Sequence, residues 1–199
     1  MNSSAPTESR LLEPITATLL GLAAVLTAVA AYLSSVQGGD EDEARARAIA
    51  TSSQGHSLTN EVTQIRAADQ AMFAAWAEAG FGDNDDLADY LLTLMRPELQ
   101  AAADEWLESE NLTPFEEASY VIHAEADAEE AFAEADAHEA KAQKAADKGD
   151  GYDKSTIFLA LALFFAGIAT TFHSRRFAYG ALVVSFAALA AGGVQLLIV

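Results

Sequence analysis

Hydrophobic positions along the chain fall into three uncharged runs separated by one long polar region. Residues 15–37, 155–172 and 177–199 contain no acidic or basic side chain. As helices with a rise of 1.5 Å per residue, runs of this length extend about 27–35 Å, which matches the hydrocarbon core of a bilayer. The sequence therefore predicts three transmembrane helices. Buried helices of a soluble protein are the alternative, and the lack of charge in all three runs argues against it.

A cleaved signal peptide is a further alternative for the first run. Its polar leader, residues 1–14, holds a single basic residue, Arg10. The run itself exceeds the roughly 7–15 residues of a signal-peptide core, and no small-x-small cleavage site follows it. We therefore favour an uncleaved helix after an N-terminal tail.

The connector between the second and third runs, residues 173–176, is basic and has no acid. Short basic loops stay on the cytoplasmic side of a membrane. This predicts a cytoplasmic N-terminus and an extracytoplasmic position for residues 38–154. Lys154, beside the second run, argues in the opposite direction.

The polar region begins with a predicted long helix. Gly38–Gly39 is expected to separate it from the first span, and the helix is expected to run from residue 40 to about residue 79. One face carries an apolar stripe, which consists of Leu58, Val62, Ile65, Met72 and Trp76. Asp69 interrupts this stripe. A buried carboxylate requires a partner, and Arg66 or His56 is the predicted one.

Two shorter helices are predicted next. Gly80–Phe81–Gly82 ends the long helix, and Asp83 or Asn84 caps a helix whose apolar face consists of Leu87, Tyr90, Leu91 and Leu94. Pro97 favours a helix start, and the inward residues of that helix are Leu99, Ala102, Ala103 and Trp106. Trp76, Tyr90 and Trp106 are the expected core of this segment.

The segment Thr113–Pro114–Phe115–Glu116 has the pattern of a capping box, which predicts that a second long helix begins there. This helix, residues 114–148, has small side chains along one seam, and they are Ala124, Ala128, Ala131, Ala135, Ala142 and Ala145. Residues 147–151 are expected to be a weak point where this helix meets the membrane. The predicted fold class is an all-α integral membrane protein with three transmembrane helices and an extramembrane long-helix hairpin, or stalk, with short helices at its tip.

Charge is concentrated in the polar region. The chain has 30 acidic and 11 basic residues, a formal net charge of −19 and 51% hydrophobic residues. Residues 40–154 hold 28 of the acids and eight of the bases. Nucleic-acid binding requires a basic surface, so we exclude it. With no cysteine, thiolate metal sites and cysteine nucleophiles are also excluded.

One strip of the second long helix has residue types that bind Zn²⁺ or Mn²⁺. Steps of four, three, four and four residues align His123, Asp127, Glu130, Glu134 and His138. In so acidic a segment, carboxylates near each histidine are expected by chance, so we favour a solvated helix face. The sequence predicts no metal site, no cofactor and no catalytic residue.

Several segments together resemble a family of uncharacterised bacterial integral membrane proteins. They are ADQAMFAAWAEA at 68–79, RPELQAAADEW at 96–106, the Ala/Glu-rich run 124–146, and ALFFAGIAT at 162–170 followed by a basic turn. The resemblance implies a multi-pass protein of the bacterial cell (inner) membrane. It implies no substrate, cofactor or catalytic residue.

Two functional hypotheses follow. The first is a non-enzymatic membrane-anchored scaffold or accessory subunit, oligomeric, in contact with membrane lipid and binding a protein partner at the tip. Small residues in the spans favour close helix packing, and they include Gly21, Ala24, Ala28, Ala162, Ala166, Ala188 and Gly192. The alternative is an oligomeric cation-conducting channel with an acidic vestibule.

Overall fold

A computed structural model describes residues 9–171 and 174–199, with side chains from residue 14 onward except that of Arg175. Within these residues, all regular secondary structure is helical, as predicted. The α-helices are α1 (Ser9–Phe81), α2 (Asp85–Leu94), α3 (Pro97–Trp106), α4 (His123–Thr171) and α5 (Arg175–Ile198), and Pro114–Glu116 forms a single 3-10 turn. Most of the predicted N-terminal tail, and His173 of the predicted basic turn, lie outside the described residues.

Three of the described helices, α1, α4 and α5, are long and apolar enough to cross a membrane. The three predicted apolar runs fall in these helices. This part of the fold prediction is confirmed on length and composition.

The chain divides into two compact units. We call residues 1–46 and 138–199 the apolar unit, and residues 47–137 the acidic unit. The acidic unit contains twenty acidic residues and three arginines, so most of the negative charge of the chain resides there.

Small side chains form the core of the apolar unit. Ala23 and Ala30 of α1 are buried with Leu159 and Ala162 of α4 and with Leu189 of α5. Small residues allow helix axes to approach closely. In this cluster α1 contributes Ala23 and Ala30, whereas a Cβ atom added at the predicted packing position Gly21 would have nothing within 4 Å.

A polar contact and a glycine join α5 to α4. The buried Ser185 hydroxyl donates a hydrogen bond to the carbonyl oxygen of Ala162 over 2.7 Å. A Cβ atom added to Gly192 would lie 2.9 Å from Cγ of Leu159 and 3.2 Å from the carbonyl oxygen of Ser155. The close approach of these two helices therefore depends on the absence of a side chain at Gly192.

The predicted separation of the first span from the long helix at Gly38–Gly39 is wrong. Helix α1 continues through Gly38–Gly39, and α4 continues through residues 147–151. A glycine within a helix costs only about 1 kcal/mol relative to alanine, which long flanking helical segments tolerate. Local contacts also support α1 here, because Arg45 pairs with Glu41 one turn away over 2.9 Å.

In the acidic unit, the predicted apolar stripe of α1 faces inward. Val62 is buried against Ile122 and Ala124, and Leu58 and Ile65 pack beside them. All six alanines of the predicted seam on α4 are less than 10% exposed. Both periodicity predictions are confirmed.

The predicted helix start at Thr113 is wrong. Pro114–Glu116 forms only a 3-10 turn, and α4 begins nine residues after Pro114, at His123. The Thr113 hydroxyl contacts the Glu116 carboxylate over 3.2 Å and makes no hydrogen bond to the backbone as a cap. Tertiary contacts of Glu117 and Tyr120 hold the chain in a non-helical conformation, so they override the local signal.

Neighbouring glycines of α5 provide a test of its packing. We expect Gly192→Ala to lower the stability of the apolar unit by about 1–3 kcal/mol, because the added methyl group overpacks a buried site. Gly193→Ala is the matched control, since nothing lies within 4 Å of a Cβ added there, and helix propensity alone favours it by about 0.5–1 kcal/mol. Thermal unfolding in detergent measures both. Equal stability of the two variants would contradict this packing.

Candidate interaction site of the acidic unit

Asp69 is a buried carboxylate, 4% exposed, on the inward face of α1. Arg96 donates to it through Nε, 3.2 Å from Oδ1, and through Nη2, 2.8 Å from Oδ2. The Tyr120 hydroxyl donates to Oδ2 over 3.1 Å. Charge-assisted, two-pronged arginine–carboxylate pairs are among the stronger hydrogen-bonded contacts. One carboxylate therefore connects α1, the α2–α3 corner and the segment before α4.

The backbone around Arg96 sets the geometry of this corner. Arg96 is extended (φ −61°, ψ 147°) and precedes Pro97, the first residue of α3, because a residue before proline disfavours the helical conformation. Gln100 Nε2 donates to the carbonyl oxygens of Leu92 and Met95, 2.6 and 3.2 Å away. The Leu92 carbonyl also accepts the backbone N–H of Met95 over 3.2 Å, so Gln100 adds a contact that ties α3 to the end of α2.

The environment shifts the pKa of both donors in the same direction. The hydrogen bond to Asp69 is the largest cause that raises the pKa of Arg96 above its ordinary value. Burial is the largest cause that raises the pKa of Tyr120, followed by the negative charge of Asp69 and the hydrogen bond to it. Arg96 therefore remains cationic and Tyr120 remains a donor throughout the neutral pH range.

An aromatic cluster lies beside these polar contacts. The ring of Phe73 is 5.8 Å from Trp76, 5.3 Å from Trp106 and 5.7 Å from Phe115, and the Phe115 ring is 5.1 Å from Tyr120. Trp76 and Trp106 are both half-buried, which is consistent with their predicted inward position. Edge-to-face pairs of this kind add about 0.5–1.5 kcal/mol each beyond the burial of their surface.

A second buried carboxylate, Glu117, is 8% exposed and fixes the loop after α3. It accepts hydrogen bonds from the Ser109 hydroxyl and from Asn111 Nδ2, the latter over 3.0 Å. The indole N–H of Trp106 donates to the carbonyl oxygen of Asn111 over 3.0 Å. Among the described residues, every buried side-chain nitrogen and oxygen has a hydrogen-bond partner.

The predicted partners of Asp69 are wrong. Arg66 instead pairs with Glu125 over 3.4 Å at the surface, and His56 packs its ring edge-on against Phe132, with ring centroids 5.1 Å apart. Arg96 and Tyr120 were not among the predicted partners. The sequence did contain a signal for Arg96. The acidic unit has only three basic residues for twenty acids, so few cations were available to pair with Asp69.

The five residues considered as metal ligands in the sequence are not gathered into one cluster. Among the described residues, no group of three or more His, Asp or Glu side chains is arranged to hold a metal ion. The His123 side chain is 80% exposed, and its Nε2 lies 3.7 Å from Oε1 of Glu98. Asp127, Glu130 and Glu134 line a surface groove with Gln54, Leu58 and Ala131, while His138 belongs to the apolar unit.

The outward side of α2 is apolar. Leu87, Tyr90 and Leu94 are 43%, 60% and 51% exposed, and we call these three residues the α2 outer face. Leu91 and Leu92, on the adjoining side of the same helix, are half-buried. The prediction that Tyr90 lies in the core is therefore wrong, since inward packing uses the other side of the same helix. Asn84 caps α2 by accepting a hydrogen bond from the Leu87 amide, one of the two predicted caps.

These features define an all-helical protein with three helices able to cross a membrane and an acid-rich unit of residues 47–137. Comparisons with protein-family models, with curated proteins and with solved structures find no match to this chain.

Two arginines allow a direct test of the Asp69 contacts. Arg96→Met should destabilise the acidic unit by about 2–3 kcal/mol, because it leaves a buried carboxylate without its cation. Arg66→Met is the matched control and should change stability by less than about 1 kcal/mol, because the Arg66–Glu125 pair is exposed. Both tryptophans of the chain lie in the acidic unit, so their fluorescence during denaturant unfolding reports on it. Equal effects of the two substitutions would refute the role of Arg96.

Tyr120 makes the acidic unit sensitive to alkaline pH. Because the folded-state pKa of Tyr120 is raised above 10.0, its contribution to stability is fully present below about pH 10 and is lost as pH rises through the folded-state pKa. Tyr120→Phe should remove this step and leave a flatter stability profile between about pH 9 and 12. Denaturant unfolding at each pH, followed by tryptophan fluorescence, measures the profile. An unchanged alkaline step in Tyr120→Phe would contradict the assignment.

Proposed function

We propose that this protein is a non-enzymatic, membrane-anchored scaffold or accessory subunit whose acidic unit binds a protein partner. The observation that carries the proposal is the α2 outer face. Leu87, Tyr90 and Leu94 expose 43–60% of their surface on a helix that a buried polar network holds in place. Clustered exposed apolar side chains with a polar surround are typical of protein interaction surfaces.

The polar network supports this reading because it gives α2 a fixed position. The corner between α2 and α3 is held by Arg96 on Asp69 and by Gln100 on the last carbonyls of α2. A fixed surface loses little conformational entropy on binding, which favours affinity. No residue of helix α2 is fully buried. Part of the apolar surface of this helix is therefore not covered by packing within the acidic unit.

In this proposal the protein belongs to the resembled family of bacterial inner-membrane proteins, and residues 38–154 form an extracytoplasmic long-helix hairpin. Contacts within the acidic unit support the hairpin, since Arg66 pairs with Glu125 while Phe132 packs on Gly55. Reagents that cannot cross lipid should label Lys141 and Lys144 on intact cells. Labelling of these lysines only after lysis would contradict the orientation.

We favour the scaffold over the cation channel because the three apolar runs contain no acidic side chain that could attract a cation within the membrane. Several threonine hydroxyls of the spans also bond within their own helices. Thr18, Thr27 and Thr170 donate to backbone carbonyls three or four residues earlier. Self-association through the apolar unit remains part of the proposal, because Gly21, Ala24 and Ala28 of α1 are exposed and small residues allow the spans of two subunits to pack closely.

Site-specific photo-crosslinking in living cells tests the proposal. A benzophenone amino acid replaces Tyr90 on the α2 outer face, and in a second variant replaces Ile49, which is 66% exposed on α1. We expect the Tyr90 variant to form a discrete adduct with a different protein, at least several-fold more abundant than at Ile49. Adducts with the chain itself alone, or equal adducts at both positions, would contradict a partner at α2.

A further inference from the structure

The two sides of the α2 outer face differ in polarity. At 3.6 residues per turn, Leu87, Tyr90 and Leu94 occupy a sector of about 60°. Asp86 adjoins this sector beside Tyr90, and Asp89 lies behind Asp86. Both aspartates are exposed. The apolar strip therefore has a negatively charged margin on one side and continues into the packed side of α2 on the other.

The surrounding charge has a single sign. Residues 82–95 contain four aspartates and no lysine or arginine. Elsewhere in the acidic unit, Arg96 pairs with Asp69 and Glu98, and Arg66 pairs with Glu125. These cations are committed to acids of their own unit. The negative margin of the α2 outer face is therefore available to positive charge from outside.

We propose that the α2 outer face binds an amphipathic helix of a different protein, whose apolar stripe is flanked by lysine or arginine. This inference rests on the proposed function and names the chemistry of its partner. Helix-in-groove recognition uses apolar anchors spaced by three, four and seven residues, and the α2 outer face extends about 10 Å along its helix. Two turns of a partner helix match that length.

Electrostatics favour such a partner over a second copy of this chain. A two-fold contact places the same surface patch on both subunits, which would bring the Asp86 and Asp89 margins of two acidic units together. Each unit carries twenty acids against three arginines, so their long-range interaction is repulsive. A partner helix with lysine or arginine along its apolar stripe is instead attracted to this margin, which also speeds association.

A designed peptide probes this surface directly. The full-length protein is held in nanodiscs of zwitterionic lipid and titrated with a fluorescent amphipathic helix made of leucine, alanine and lysine. Anisotropy measures binding. We expect saturable binding that weakens as salt is raised, and no binding of the same peptide with glutamate in place of lysine.

Three variants separate the apolar and the charged contributions. Tyr90→Ser with Leu94→Ser should weaken binding at least tenfold, and Asp86→Asn with Asp89→Asn should weaken it several-fold. Ile49→Ser is the control, since Ile49 is an equally exposed apolar residue away from α2, and it should leave affinity unchanged. All three changes are at exposed positions, and unchanged tryptophan fluorescence verifies the fold.

Several outcomes would overturn the inference. Equal affinity of the wild type and the Tyr90/Leu94 variant would mean diffuse attraction to acidic charge, and tight binding of the glutamate peptide would exclude a charge-selective site. Self-association that only the Tyr90/Leu94 variant abolishes would identify a second copy as the occupant. If the lysine peptide fails to bind while photo-crosslinking at Tyr90 still captures another protein, only this inference fails. If crosslinking also fails, the proposed function fails with it.

Discussion

The acidic unit depends on one buried charge, the carboxylate of Asp69. Removing a carboxylate from water costs several kcal/mol unless charge and hydrogen bonds replace its hydration. Here Arg96 and Tyr120, which are 27 and 51 residues away along the chain, provide both. Neither donor reaches Asp69 unless the α2–α3 corner and the segment before α4 are docked on α1. The requirement to satisfy one charge thus selects one arrangement of three segments.

This selection matters most for α2 and α3, because few of their apolar side chains are fully buried, although the Phe73 ring also contacts Trp106 of α3. In α2 no residue is fully buried, and in α3 the buried residues are Leu99 and two alanines. A few small apolar contacts are compatible with several ways of docking α2 and α3 on α1. A bidentate ion pair is compatible with few of them. The network also leaves Leu87, Tyr90 and Leu94 on the outside of α2. The apolar surface on which the proposed function rests is therefore a consequence of how Asp69 is satisfied.

Local periodicity in the sequence predicted much of the helical structure. The inward stripe of α1, the alanine seam of α4 and the inward face of α3 repeat with the helix period, so each can be recognised from neighbouring residues alone. The predictions at Gly38–Gly39 and at the Thr113 capping box were wrong because each rests on a signal of about 1 kcal/mol, which contacts made by the folded chain outweigh. Glu117 and Tyr120 delay the start of α4 in this way.

The candidate site was only half predictable for the same reason. One carboxylate in an apolar stripe shows that Asp69 needs a partner. The identity of that partner depends on the three-dimensional fold of the chain. Arg66 was the nearest arginine in sequence, whereas Arg96 becomes the nearest only after the chain turns at α2 and α3. The direction in which Tyr90 points likewise depends on which side of α2 packs inward.

Amide hydrogen exchange of the full-length protein in nanodiscs tests the role of Asp69 most directly. Asp69→Asn keeps the size of the side chain and removes its charge. We predict much faster exchange in α2 and α3 and in the segment before α4, with exchange in α5 unchanged. Unchanged protection of α2 and α3 in Asp69→Asn would contradict the account.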